Sequence, residues 1–166
     1  MNDIDQAIAK DVESLAASLK SRAWMLAAAE SCTGGLIAAA CTELSGSSEW
    51  FERGFVTYSN EAKTELLGVS AELIARHGAV SEEVVRAMAE GAIVRSRADL
   101  AVAVTGIAGP TGGSPAKPVG TVWVGIGLRG QPAVATLLQL QGDRAAVRRQ
   151  TVAWALRALN NAASAR

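Results

Sequence analysis

The sequence has one histidine, one tyrosine, two cysteines, four prolines and few aromatic residues of any kind. Each scarcity excludes something. His77 is the sole imidazole available to a Ser-His-Asp triad. It stands just before Gly78, at the end of a short helical pattern where an imidazole is structurally routine, so a charge-relay site is disfavoured. Cys32 and Cys41 are too few for a disulfide framework. On one helix, the nine residues between them would span about 13 Å along the axis, on opposite faces, too far to bridge. Sixteen basic residues balance sixteen acidic ones, leaving no net field to draw nucleic acid or an anionic membrane. Any bound anion must be held by local chemistry. No apolar run approaches the roughly 20 residues of a membrane span. The opening MNDIDQAIAK is polar and acidic where a signal peptide would be basic and then apolar. The expectation is a reduced, cytoplasmic protein with no nucleic-acid or membrane partner.

What is present is alanine, glycine and aliphatic residues, with 49% of the 166 residues hydrophobic. That suits closely packed helices against a sheet, in a single domain spanning 1–166. Ile4, Ile8, Val12, Leu15 and Leu19 make a helical stripe over residues 3–20. A buried strand is expected over Trp24–Ala29, then a helix from LIAAACTEL. GFVTYS (54–59) reads as a strand, with Asn60 capping a short helix that Gly68 stops. Ser70 and Gly78 bracket a second short helix, and Ser81 opens a longer one. Leu100–Val104 is an uninterrupted strand that runs into a long Gly/Pro-rich loop, residues 105–120. Two further strands, 121–128 and 133–140, are joined by a tight turn. A closing helix begins at Asp143 and places Val147, Thr151, Trp154 and Ala158 on one face. Helices alternating with strands, followed by a late hairpin, predict an α/β fold. It would be a three-layer α/β/α sandwich around a mixed, mostly parallel sheet of about five strands, one of them antiparallel.

Glu30-Ser31-Cys32-Thr33-Gly34-Gly35 joins a strand to a helix, which puts Ser31 at the C-terminal edge of the sheet, where open α/β folds bind ligands. Unpaired N–H groups at the helix start suit an oxyanion or phosphate, and Gly34 and Gly35 let a ligand approach the backbone. Ser31 or Thr33 as a plain N-cap is the competing reading. No lysine lies three residues after Ser31, so a base must come from elsewhere. Tyr58-Ser-Asn-Glu-Ala-Lys63 offers one: Lys63 falls in the first turn of a helix, where the dipole depresses its pKa. Tyr58 would relay the proton or hold the lysine. Solvated Lys63 and half-buried Tyr58 remain the alternatives.

Four ordered blocks, AESCTGGLIAAACTELSGSSEWFERGFVTYSNEAKTELLGV, GAVSEEVV, TGIAGPTGGSPAKPVGTVWVG and GDRAAVRRQTVAWAL, closely resemble the CinA C-terminal domain family over about residues 5–160. The likeness is to its stand-alone members that act as nicotinamide-nucleotide amidases. This resemblance implies hydrolysis of nicotinamide mononucleotide to nicotinate mononucleotide and ammonia, in pyridine-nucleotide salvage. It implies a serine mechanism without metal or cofactor, carried by Ser31, Tyr58 and Lys63. Longer relatives bear an N-terminal domain similar to molybdopterin-binding proteins, and no activity tied to that domain is transferred.

The small-molecule nucleotide substrate needs an oxyanion site, expected near Thr33, Gly34 and Gly35, and a phosphate site. For the phosphate the candidates are Thr105, Gly106, Ala108, Gly109, Gly112 and Gly113 of the loop, with Arg144 and Arg148 of the last helix. Arg144 in a helix's first turn is disfavoured unless it meets an anion, and Arg148 lies one turn on. Asp143 reads as the N-cap and Arg149 as solvated. Two other function classes stay open: a non-catalytic partner-binding module, and a serine amidase for another small amide. Trp50 and Phe51 could stack on a ring, fill the core or face a second subunit. If exposed they would favour a homo-oligomer, first a dimer.

Overall fold

In the computed structural model, which describes residues 1–165, five strands form one sheet. They are β1 (Leu26–Glu30), β2 (Phe51–Val56), β3 (Leu100–Gly106), β4 (Thr121–Leu128) and β5 (Val134–Gln139), in the order β2-β1-β3-β4-β5. β1 pairs in parallel with β2 and β3, and the two late pairings are antiparallel, so β4 alone runs against the rest. Six α-helices cover the two faces among the described residues: α1 (Asp3–Arg22), α2 (Leu36–Glu43), α3 (Asn60–Leu67), α4 (Ala71–His77), α5 (Glu82–Val94) and α6 (Arg144–Ser164).

Strand alternation decides which layer each residue serves. Leu26, Ala28, Leu100, Val102 and Val104 point into a core shared with α1, α2 and α6. Ala27, Ala29, Ala101 and Ala103 point the other way, into a core built with α3, α4 and α5. The expected three-layer α/β/α sandwich is therefore the architecture found. No helix among the described residues is long and apolar enough to cross a membrane.

Side-chain caps start five of the helices: Asn2, Ser59, Ser70, Ser81 and Asp143 each accept a first-turn N–H. Asp143 is thus the cap the sequence suggested, whereas for α3 the cap is Ser59 and Asn60 is already helical. β2 also lies earlier than expected, at 51–56 rather than 54–59. Its pairing with five-residue β1 runs from Leu26↔Phe51 to Glu30↔Val56 and can extend no further as a strand. Tyr58 consequently falls in the loop that follows. Trp24 is not in β1, because Ala23 turns left-handed (φ 54°) and the Trp24 N–H closes the end of α1 on Leu19. The buried face of α6 carries Val147, Thr151, Ala155 and Leu159 at helical spacing, while Trp154 is exposed with the Arg157 guanidinium over its ring. Trp50 is a core residue, 1% exposed, with the ring of half-buried Phe51 edge-on at 6.3 Å. The pair therefore packs inward and is not the exposed apolar patch that would favour a subunit interface. Cys32 lies ahead of α2 and not on it, and both cysteines are free and buried.

Candidate active site

Three parallel strands end side by side at one edge of the sheet. Ser31 leaves β1 there, its N–H donating to the Val104 carbonyl of β3 (3.1 Å), while the Thr57 N–H donates to the Glu30 carbonyl (2.8 Å). β1 connects to β2 through α2 on one face, and β2 to β3 through α3, α4 and α5 on the other. Ser31 therefore sits at the chain reversal where open α/β sheets form a ligand crevice.

The turn after Ser31 is held from within. Gly34 donates to the Ser31 carbonyl (3.1 Å), and Gly35, at φ 107°, opens α2. Neither Ser31 nor Thr33 caps that helix. Glu30 does: its buried carboxylate accepts from the Ile37 N–H (2.8 Å), the Ala38 N–H (3.0 Å) and the Thr33 hydroxyl (2.6 Å). Among the described residues the N–H groups of Cys32, Thr33 and Gly35 have no backbone or carboxylate acceptor, but Thr33 has no exposed surface, so Cys32 and Gly35 are the donors of this turn that an oxyanion could reach.

Lys63 reaches this turn from α3. Its Nζ lies 3.2 Å from Ser31 Oγ and donates to the carbonyls of Thr57 (2.9 Å), Tyr58 (3.4 Å) and Ser59 (3.4 Å). The side chain is 1% exposed, which rules out the solvated lysine. Burial lowers its pKa from the ordinary 10.5. A helix terminus shifts a nearby charge by about 0.3–1 kcal/mol, less than one pKa unit, so desolvation outranks the dipole effect expected from sequence. The neighbouring thiol of Cys32 is pushed up to about 11, first by burial, and is therefore protonated and inert. Ser31, half-buried and touching an amine, is the nucleophile this arrangement offers.

Tyr58 stands apart from that pair. It is 60% exposed, and its hydroxyl accepts from Arg144 Nη2 at 3.0 Å, with no hydrogen bond to Ser31 or Lys63 from its side chain among the described residues. Arg144, first residue of α6, also donates through Nη1 to the Gly109 carbonyl at 2.9 Å. It thus ties the loop leaving β2 to the loop leaving β3, on either side of the strand that carries Ser31.

Arg148 is turned to the nucleophile's turn, donating from Nε to the Cys32 carbonyl and from Nη2 to the Thr33 carbonyl, both at 3.1 Å. Arg149 keeps 43% of its side chain exposed, as the solvated reading expects, and also pairs with Asp5 of α1.

The loop residues divide. Thr105 is buried and its hydroxyl donates to the Ala79 carbonyl (2.9 Å), while Ala108 belongs to the core. A Cβ on Gly106 would stand 2.6 Å from Val122, and one on Gly109 would stand 2.5 Å from Val119, so close packing explains both glycines. Gly113 folds against Val119, and Gly112 lies in the exposed part of the loop. Only Gly109, through Arg144, joins the residues gathered around Ser31. Lys117 anchors the same loop to the His77 carbonyl (3.1 Å), and His77 pairs with Glu83 at the far end of α4. No cluster of three His, Cys, Asp or Glu side chains that could hold a metal occurs among the described residues.

Sequence reasoning missed Glu30 and the turn-facing role of Arg148. The signal for Glu30 was there: an acidic residue closing an otherwise apolar strand.

A family model for the CinA C-terminal domain matches residues 8–163. The chain is 53% identical over 147 residues to the nicotinamide-nucleotide amidohydrolase PncC of Escherichia coli K12, covering 89% of each chain. It is 60% identical over 128 residues to the protein of the same name from Pseudomonas putida, covering 77% of this chain and 79% of that one. A crystal structure of a CinA-superfamily protein from Klebsiella pneumoniae superposes with a TM-score of 0.91 at 39% identity, over 96% of this chain and 99% of the other.

Proposed function

Because the chain belongs to the CinA C-terminal domain family, we propose that it is a nicotinamide-nucleotide amidohydrolase. In this reading it converts nicotinamide mononucleotide and water to nicotinate mononucleotide and ammonia, as part of pyridine-nucleotide salvage, with Ser31 as nucleophile. The observation that carries the mechanism is the 3.2 Å approach of Lys63 Nζ to Ser31 Oγ, in surroundings whose burial favours the neutral amine.

Neutral Lys63 takes the Ser31 hydroxyl proton as Oγ bonds to the carboxamide carbon. The oxyanion is met by the N–H groups of Cys32 and Gly35, each such donor worth about 3 kcal/mol in the transition state. Collapse breaks the C–N bond, and the Lys63 ammonium returns its proton to the departing nitrogen, which leaves as ammonia. Water, deprotonated by the same amine, then cleaves the ester, releasing the carboxylate and restoring the Ser31 hydroxyl. The direct contact between Lys63 and Ser31 favours proton transfer without a phenol relay.

Tyr58 belongs to substrate recognition together with Arg144. Arg144 suits the substrate phosphate better than Arg148, because it is the more exposed of the two and one of its two partners is the exposed Tyr58 hydroxyl, whereas Arg148 is only half-exposed and holds two carbonyls of the turn.

Ammonia release from nicotinamide mononucleotide and from free nicotinamide, by wild type and Lys63→Ala, tests the reading. Activity on the nucleotide that disappears in the variant supports it. Wild-type protein inert toward the nucleotide, or an undiminished Lys63→Ala, overturns it.

A further inference from the structure

Among the described residues the protein buries just two side chains of the Asp, Glu, Lys and Arg class, and both converge on residue 31. Lys63 touches the Ser31 hydroxyl. Glu30 precedes Ser31 in the chain and is 1% exposed. A buried carboxylate is costly unless its oxygens are satisfied, and here every partner comes from the segment just after the nucleophile: Thr33 Oγ1, Ile37 N and Ala38 N.

We infer that Glu30 is a positioning residue for the amidase reaction, fixing the Ser31–Gly35 turn so that the Ser31 hydroxyl and the free N–H groups share one carbonyl. The inference rests on Ser31 being the nucleophile. α2 is the one α-helix here whose start has no capping side chain of its own, since Gly35 stands at its N-cap. Without Glu30 the N–H groups of its first turn would have no side-chain acceptor. The carboxylate consumes the N–H groups of Ile37 and Ala38. Arg148, from the other side, consumes the carbonyls of Cys32 and Thr33. That leaves the N–H groups of Cys32 and Gly35 as the backbone donors of the turn open to a ligand. The carboxylate therefore selects which donors face the substrate as well as where they lie. Thr33 serves the same end from inside: its hydroxyl donates to Glu30 and the residue has no exposed surface.

The test is the kinetics of Glu30→Gln on nicotinamide mononucleotide, expressed per folded molecule and set beside Ser31→Ala. Gln keeps the volume but places an amide N–H₂ against one of the two helix N–H groups. The expected result is a fall in kcat on the order of 100-fold, the scale of about a 1 Å misplacement of reacting groups. KM should stay within about twofold, and the pH at which Lys63 titrates should not move, because the turn is displaced and the lysine is not. Thr33→Val, which removes one hydroxyl and keeps the volume, should lower kcat in the same sense by a smaller factor. It decides the matter if Glu30→Gln does not fold. Wild-type kcat in folded Glu30→Gln, or in Thr33→Val where Glu30→Gln fails to fold, overturns the inference. So does a loss that only mirrors the folded fraction. An active Ser31→Ala would instead overturn the nucleophile assignment itself.

Discussion

Lys63 is buried against three carbonyls and the Ser31 hydroxyl, whereas Tyr58 and Arg144, across the same strand edge, are exposed and held to each other by a single hydrogen bond. The inner half of the site is fixed by the sheet. Ser31 hangs on β3, Lys63 on the end of β2, and Glu30 on the first turn of α2. The outer half is assembled from two loops and the first residue of a helix, bridged by one guanidinium. A buried amine is costly to retain and is suited to taking up and returning a proton, while an exposed arginine at a helix start keeps its charge and can exchange partners. On the proposed reading the contrast separates bond-making from recognition.

The separation breaks most visibly at Lys63. Lys63→Ala should lower kcat at least 10³-fold with little change in KM, since general acid–base catalysis contributes about 10²–10⁴-fold and the serine also loses its activating contact. Steady-state ammonia release with folding checked by circular dichroism would show it. Arg144→Gln should do the reverse, raising KM for the nucleotide about 10- to 100-fold, the worth of one charge-assisted contact of about 1.5–3 kcal/mol, with kcat changed far less. Free nicotinamide, lacking phosphate, should not register that substitution. Tyr58→Phe should be smaller again, a KM rise of about three- to tenfold through Arg144. A kcat collapse there would return the phenol to the proton path.

Stability sharpens the same contrast with the smallest signal. Burial disfavours the protonated lysine in the folded protein, so the unfolded chain binds more protons between the lowered pKa and 10.5, and stability rises with pH across that window. The melting temperature of wild type relative to Lys63→Met should climb as pH is raised toward 10.5. Each kcal/mol moves Tm by about 2–4 °C in a chain this size. The corresponding comparison with Arg144→Gln should be flat.

The inner half is partly legible in the amino-acid sequence. Ser31 at a strand-to-helix junction, the lack of a usable histidine and the Tyr58–Lys63 spacing lead to the pair found in contact, because strand periodicity and turn residues are local signals. The layering follows from the same periodicity. What stays hidden is set by pairing. Where β2 ends depends on the length of β1, so Tyr58 reads as a strand residue when it lies in the loop after β2 with its hydroxyl on Arg144. The cap of α2, for which Ser31 or Thr33 is the competing reading of the sequence, is a carboxylate from the preceding strand, a contact across the turn that no cap motif encodes. The lowered pKa of Lys63 comes from burial, which depends on α3 docking over the strand ends and not on its place in the helix. The loop glycines read as ligand contacts because glycine permits both close backbone approach and close packing. Val119 and Val122 show that packing accounts for Gly109 and Gly106.

The most direct test places one residue from each half in the same assay: kcat and KM for nicotinamide mononucleotide, measured for Lys63→Ala and Arg144→Gln beside wild type. The account predicts a collapse of kcat at near-constant KM for the lysine variant and a raised KM at near-constant kcat for the arginine variant. The same parameter changing in both, or the pattern reversed, would contradict it.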